Sequence, residues 1–290
     1  MQMKSIILFI IKIGKILFYN TPFHRSKLVN VIYEKLFHSV YKKDEILEVP
    51  YLGCIFKIPA RDMTILPSLI NNDYERYVLD LYKQILKPGM TVVDIGANIG
   101  IFSILGAKVV GTTGTIICFE PEPGNFELLK ENILINNVVN VRPENLAVGA
   151  EKAVLKLQIE RNSIGTHSIL NRADKGIERE VSVNVVSIDD YVKRLKHPID
   201  VMKIDVEGYE PYVLMGGRCV IEKVQYLFFE YIKSDIEASI RIDDFLDLLS
   251  SFPFIYGIDE KRHSIRRFTL DDFQHVKYIN ILASKTEVSL

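Results

Sequence analysis

Val92-Val93-Asp94-Ile95-Gly96-Ala97-Asn98-Ile99-Gly100 decides how the chain folds: an apolar, β-branched run reaches an acid and then bends between two glycines. The run reads as a buried strand, and the glycines supply a tight turn into the next helix. Residues 99–110 continue as an apolar helix, closed by Gly111 to Gly114. TIICFE, residues 115–120, is a second buried strand, and Pro123 can open a helix whose Phe126, Leu129, Ile133 and Leu134 share one face. A third strand is expected near Val138–Val141. Strand and helix alternating over about 50 residues are the mark of a parallel sheet with right-handed crossovers.

Outward from that unit the pattern changes. Upstream, Tyr74, Tyr77, Val78, Leu81, Ile85 and Leu86 recur at helical spacing before Lys87-Pro88-Gly89 stops the helix. Before them, Ile46 to Ile58 carries strand-like stretches with Gly53 as their turn. Downstream, AVLKLQI and VSVNVVSI alternate apolar and polar residues, as antiparallel strands with one wet face do. They form a small insertion around a polar loop, Arg161 to Glu180, with no clear element. Parallel-type strands resume at IDVMKID (199–205) and YLFFEYI (226–232), and a helix near 241–250 with the strands FIYGI and YINILAS completes the domain.

Ligands in open α/β sheets bind at the carboxyl ends of the strands, which is where Asp94 and, in Phe119-Glu120-Pro121, Glu120 fall. A carboxylate such as Glu120 can accept hydrogen bonds from both hydroxyls of a ribose. A dinucleotide site would show G-x-G-x-x-G cradling a pyrophosphate. Here an acid precedes Gly96 and Gly100, a pattern that repels phosphate and suits a cationic, amino-acid-bearing ligand. S-adenosylmethionine is therefore favoured over NAD. The plainer reading makes Asp94 a cap of the turn and Glu120 a solvated charge. A second cluster, Met202-Lys203-Ile204-Asp205-Val206-Glu207-Gly208-Tyr209-Glu210, crowds three carboxylates and a lysine at a buried strand's end. Glu207 or Glu210 could instead cap the next helix, and that is the expected role of Glu210.

The bulk properties narrow the partners. The 290 residues carry 36 Lys+Arg against 37 Asp+Glu, a balance that asks for no nucleic acid. Cys54, Cys118 and Cys219 lie far apart with no metal-ligand spacing, and so sparse a set fits a reducing, cytoplasmic setting. The apolar run SIILFIIKIGKILF, residues 5–18, is too short and interrupted to span a bilayer. On a helical wheel Lys4, Ser5, Lys12 and Lys15 share a sector of roughly 100°. Such a helix suits either the inner face of a membrane, contacted through residues 4–18, or docking on the domain or on a second copy in a homo-oligomer. The expected division is an extension over residues 1–45 and one domain over 46–290.

DIGANIG, FEPEPGNFELLKEN, the Val186-Ser187-Ile188-Asp189-Asp190 segment and KIDVEGYE together resemble the FkbM-type methyltransferases, in order and spacing, over roughly residues 70–232. The resemblance implies a Rossmann-like class I methyltransferase fold: a mostly parallel seven-stranded sheet with helices on both faces. It also implies S-adenosylmethionine as cofactor and O-methylation of a sugar, glycolipid or other natural product. Carried over by position, Asp94, Gly96, Asn98 and Gly100 would hold the methionine part, Glu120 the ribose, and Glu75 would approach the cofactor from the preceding helix. Asp205 would border the transferred methyl.

A hydroxyl is a poor nucleophile and gains from a base. The candidates are Asp205, Glu207, His167 in the polar loop and Glu230 at the end of YLFFE. No metal is assigned; a divalent ion bridging Asp205 and Glu230 is the lesser reading. Two other functions remain open at this point, a non-catalytic adenosyl-ligand-binding protein and an NAD-dependent oxidoreductase.

Overall fold

The computed structural model describes residues 41–288 apart from 44, 162, 171–176, 194 and 196. The expected helix over residues 5–18 lies outside the described residues. The chain divides after Tyr74 into two compact units.

The first unit contains a hairpin and a short helix. Strands β1 (Ile46–Tyr51) and β2 (Cys54–Pro59) pair antiparallel, joined by the expected turn at Leu52 and Gly53, with φ of 48° and 78°. Two positive φ values in a two-residue loop match the right-handed twist of the strands. Asp62 accepts from the Ile65 and Leu66 N–H groups at 2.7 Å each and so starts the helix Leu66–Ile70.

In the second unit, the helix Arg76–Ile85 precedes β3 (Thr91–Ile95), the helix Ile101–Val110 and β4 (Thr115–Phe119). The helix Pro123–Ile135 leads to β5 (Val141–Glu144) and β6 (Ala147–Val148). The third strand therefore starts three residues later than the apolar pair Val138-Val139 suggests. Asn137 sits at φ 53°, and Asn140 donates its amide to the carbonyls of Ala107 and Gly111, so this stretch is held as a turn and leaves Val139 exposed. β7 (Ala153–Glu160) and β8 (Ile177–Val186) form the expected antiparallel insertion, with β6 beside β8 in a separate three-stranded sheet.

β9 (Val201–Ile204) and β10 (Tyr226–Ile232) return to the main sheet; β11 (Phe254–Asp259), β12 (Ser264–Arg267) and β13 (Tyr278–Ser284) finish it. The order is β12-β11-β13-β10-β9-β3-β4-β5. β5, β4, β3, β9 and β10 run parallel, and the last three strands add antiparallel. Among the described residues the sheet thus has eight strands where seven were expected. The extra one, Ser264-Ile265-Arg266-Arg267, is a polar edge strand without the apolar alternation that marks the others.

Helices cover both faces. Val93, Ile95, Phe119, Met202, Ile204 and Phe229 join Val213, Leu214 and Phe245 in one core. On the opposite face Tyr82 meets Phe102 and Phe228 edge-on at 5.4 and 5.7 Å between ring centroids. Each such aromatic pair adds about 0.5–1.5 kcal/mol beyond its area. From β3 the chain builds outward through β4 and β5, then returns to β9 on the other side, and this reversal opens a crevice at the carboxyl ends of β3 and β9.

Candidate active site

Strand register assembles the site. Side chains two apart on a strand share a face, and paired residues on neighbouring strands stand side by side. Asp94 pairs with Lys203, and Lys203 with Phe228. Two residues beyond Phe228, Glu230 pairs with Asn280. These residues therefore lie in one row on the face covered by Tyr82 and Phe102. The row ends in a cleft lined by Glu75, Val78, Lys203, Asp205, Glu230 and Asn280, among others.

Lys203 is the charge at the floor of the row. It is 5% exposed, its Nζ lies 4.4 Å above the Phe102 ring, donates to Asp205 Oδ2 at 2.8 Å, and stands 4.0 Å from Asp94 Oδ1. Burial pulls its pKa down, but Asp205, Asp94 and Glu75 more than offset this and hold it above the ordinary lysine range. Asp94 is fully buried; its Oδ2 accepts from Ser103 Oγ at 2.6 Å, while Oδ1 has no hydrogen-bond donor. Burial raises its pKa, and the Lys203 charge and the Ser103 hydroxyl pull it back. Asp94 thus ties the turn to the next helix and balances Lys203 at once.

The glycine turn is compact and its backbone is spoken for. Gly96, Asn98 and Gly100 have φ of 82°, 53° and 91°. A Cβ on Gly96 would overlap the carbonyl oxygen of Asp205, and one on Gly100 would come within 2.5 Å of Leu129 Cδ1. The space that these glycines leave is therefore filled by the loop after β9 and by the helix Pro123–Ile135. The N–H groups of Gly96 and Ala97 both donate to Phe119 O, that of Gly100 to Ala97 O, and that of Asn98 to Glu120 Oε2 at 2.8 Å. Glu120 also accepts from Glu122 N at 2.8 Å and is 5% exposed, so it is not a solvated charge. Burial pushes its pKa up to about 8, against the two backbone donors that lower it.

Asn98 and Asn125 donate their side-chain amides to one acceptor, Ile164 O, at 2.7 and 2.9 Å. They pin the segment after β7 beside the Glu120 turn, and leave Asn98 Oδ1 buried without a donor. Neither Asn125 nor Glu122, which caps the helix through Asn125 N and binds Arg179, stood out in the sequence. Both sit in FEPEPGNFELLKEN, where their spacing from Pro123 was the available sign.

Beyond β9, Asp205, Glu207 and Glu230 bring carboxylate oxygens within 4.8 Å of one another, a spacing able to hold a cation. Glu207 has φ 54°, and its carbonyl accepts from Ser168 Oγ at 3.0 Å. Glu230 has its pKa pushed up to about 9, first by burial and then by Asp205, against a lowering hydrogen bond from Tyr278. Glu210 is buried and accepts from Val206 N at 3.0 Å, so it closes the turn before its helix Glu210–Met215 instead of capping that helix as expected. Its own pKa rises to about 8 through burial. His167 does not line this cleft; its Nδ1 accepts from Glu160 N at 3.3 Å. Lys203 was noted only as a member of the acidic cluster and Asn280 not at all, although a lysine in VMKID and an asparagine in YINIL are polar breaks in apolar strands.

The methyltransferase FkbM domain matches residues 94–260, more than half of the chain. The chain belongs to this family. Its match begins at the acid before the glycine turn and ends at Glu260, beyond the last strand of the sequence resemblance. Among relatives of the FkbM domain, the hexuronic acid methyltransferase AglP of Haloferax volcanii is 28% identical over 163 residues, 54% of this chain and 60% of AglP. The chain thus spans about 60% of that relative's length. The 2-O-methyltransferase NoeI of Sinorhizobium fredii is 25% identical over 203 residues, 61% of this chain and 79% of NoeI. Of solved structures, P. horikoshii TYW2 in complex with MeSAdo aligns with a TM-score of 0.45 at 13% identity, covering 85% of this chain and 74% of that one.

No described helix is long and apolar enough to cross a membrane.

Proposed function

We propose that this FkbM-family chain binds S-adenosylmethionine at the β3–β9 crevice and methylates a hydroxyl of a sugar or sugar-bearing acceptor. The observation that carries the reading is a cleft holding Glu75, Asp205 and Glu230 against one cation, Lys203, beside a turn whose amides are already bonded. A pyrophosphate needs open backbone N–H groups and no nearby carboxylates; a sulfonium with an amino group needs the reverse. The orphaned acceptors Asp94 Oδ1 and Asn98 Oδ1 agree with a ligand that brings donors. An NAD-dependent reading loses on both counts.

In this assignment residues 46–290 form the methyltransferase domain. The Asp94–Gly100 turn and Glu75 border the methionine part, and Glu120 takes ribose hydroxyls with the lone pairs its two backbone donors leave. When bound, the cofactor supplies an electrophilic methyl group on a positively charged sulfur, with its own leaving group. The chain's part is to align and to move one proton. Asp205, oriented by Lys203, accepts the hydroxyl proton as the oxygen gains the methyl group. Glu207 adds negative charge at the same rim. Glu230 lies at the same rim, where it can hydrogen-bond the acceptor. His167 stays outside this set. The sugar acceptor is supported by the names of the AglP and NoeI relatives.

Tritiated methyl transfer into a panel of hexoses, hexuronates and polyols tests this. Label in a base-stable ether is expected, and Asp205→Asn should lower kcat by about 10²–10⁴-fold. Base-labile label would mean carboxylate esterification, and cofactor binding without any transfer would mean a binding protein.

A further inference from the structure

The helix Arg76–Ile85 starts in an unusual way. Its N-cap, Glu75, has φ 39° and ψ 42°, in the left-handed region, and makes no side-chain cap hydrogen bond. An N-cap residue ordinarily sits in the β region and accepts from the second or third amide of its helix. Here those two amides go elsewhere. Tyr77 N donates to Glu260 Oε2 at 3.2 Å and Val78 N to Glu260 Oε1 at 3.0 Å. Glu260 follows β11 in the turn toward β12, a turn ordered by Asp259 Oδ1, which accepts from Lys261 N and Arg262 N at 3.0 Å each. The same turn grips the helix a second time through His263, whose ring stacks on Tyr77 at 5.5 Å with an interplanar angle of 4°. Meanwhile Glu75 lines the cleft with Lys203, Asp205 and Glu230.

Two glutamates therefore share what one would ordinarily do. If Glu75 capped its own helix, its carboxylate would be bound to the amides of residues 77 and 78 and withdrawn from the cleft. We propose that Glu260 is a positioning residue: it caps the helix in place of Glu75 and thereby keeps the Glu75 carboxylate at the cofactor cleft. The inference rests on the assignment of that cleft to S-adenosylmethionine. It gives the β11–β12 turn, far from the crevice in sequence, a part in cofactor affinity.

The test is a double-mutant cycle on the full chain, read as the calorimetric Kd for S-adenosylmethionine. Glu75→Gln is expected to weaken binding by about tenfold, the scale of one charged contact. Glu260→Ala should weaken it similarly, because the amides it abandons recruit Glu75. In the double variant the losses should overlap, with Kd within about twofold of the weaker single variant. Glu260→Gln, which keeps one acceptor oxygen, should restore part of the affinity, and it serves as the probe if Glu260→Ala fails to fold. Losses that multiply in the double variant, or unchanged affinity in Glu260→Ala or Glu75→Gln, would overturn the proposal while leaving the cofactor assignment standing. No binding by the wild-type chain would overturn both.

Discussion

Replacing Lys203 with methionine is expected to destabilise the protein by about 3–5 kcal/mol near pH 8, the usual cost of stripping one partner from a buried charge set. Methionine keeps most of the lysine's apolar stem and removes the ammonium that stands over Phe102, so the loss isolates the charge. What remains is Asp94, fully buried, with Lys203 no longer offsetting its desolvation. Its folded-state pKa then climbs further above its unfolded value. A carboxyl of that kind binds more protons folded than unfolded, so stability is lost as pH rises between the two values. The deficit should therefore be small near pH 5 and largest near pH 8. Thermal melts at both pH values check it: a drop of about 10 °C at the higher pH follows from the scaling for domains of this size. Equal melting temperatures for wild type and variant across the range would show that the ammonium is dispensable.

Gly96→Ala should be nearly as severe and for a different reason. A left-handed φ costs a non-glycine residue about 1–2 kcal/mol. The new Cβ would also meet the Asp205 carbonyl oxygen, which belongs to backbone and cannot swing aside. Overpacking of that kind adds about 1–3 kcal/mol. Gly89→Ala is the matched control: its φ is 88°, and its added Cβ would lie 3.8 Å from Thr113 Oγ1, an ordinary contact. Gly89→Ala should lose the conformational term alone and retain cofactor affinity. Gly96→Ala should lose more stability and displace Asp205. Similar melting temperatures for the two variants would contradict the close-approach account.

Much of this arrangement was legible in the residues. β3, β4, β9 and β10 are largely buried on both sides, so they read as apolar runs with few polar breaks, and the acids near their ends fall where the crevice opens. β12 was not legible, because an edge strand held by backbone pairing needs no apolar pattern. β5 was misplaced because local apolarity at Val138-Val139 competed with asparagine turn chemistry, and the turn won. At the site, residue types were readable but partners were not. The glycines were legible as a turn, but the neighbours that demand them, Asp205's carbonyl and Leu129, were not. Lys203's pairing with Asp94 depends on the β3–β9 register, which joins residues 109 positions apart and has no local signature. The capping of residues 77 and 78 by Glu260 is equally non-local.

The crevice selects by charge: with carboxylates at its rim and the amides of Gly96, Ala97, Asn98 and Gly100 already bonded, it should accept a sulfonium nucleoside and refuse a dinucleotide. Parallel calorimetric titrations of the full chain with S-adenosylmethionine and NAD decide it. Saturable binding of S-adenosylmethionine, weakened in Glu120→Ala, with no measurable heat from NAD is the expected result. NAD binding as tightly as S-adenosylmethionine, or neither ligand binding, would contradict the account.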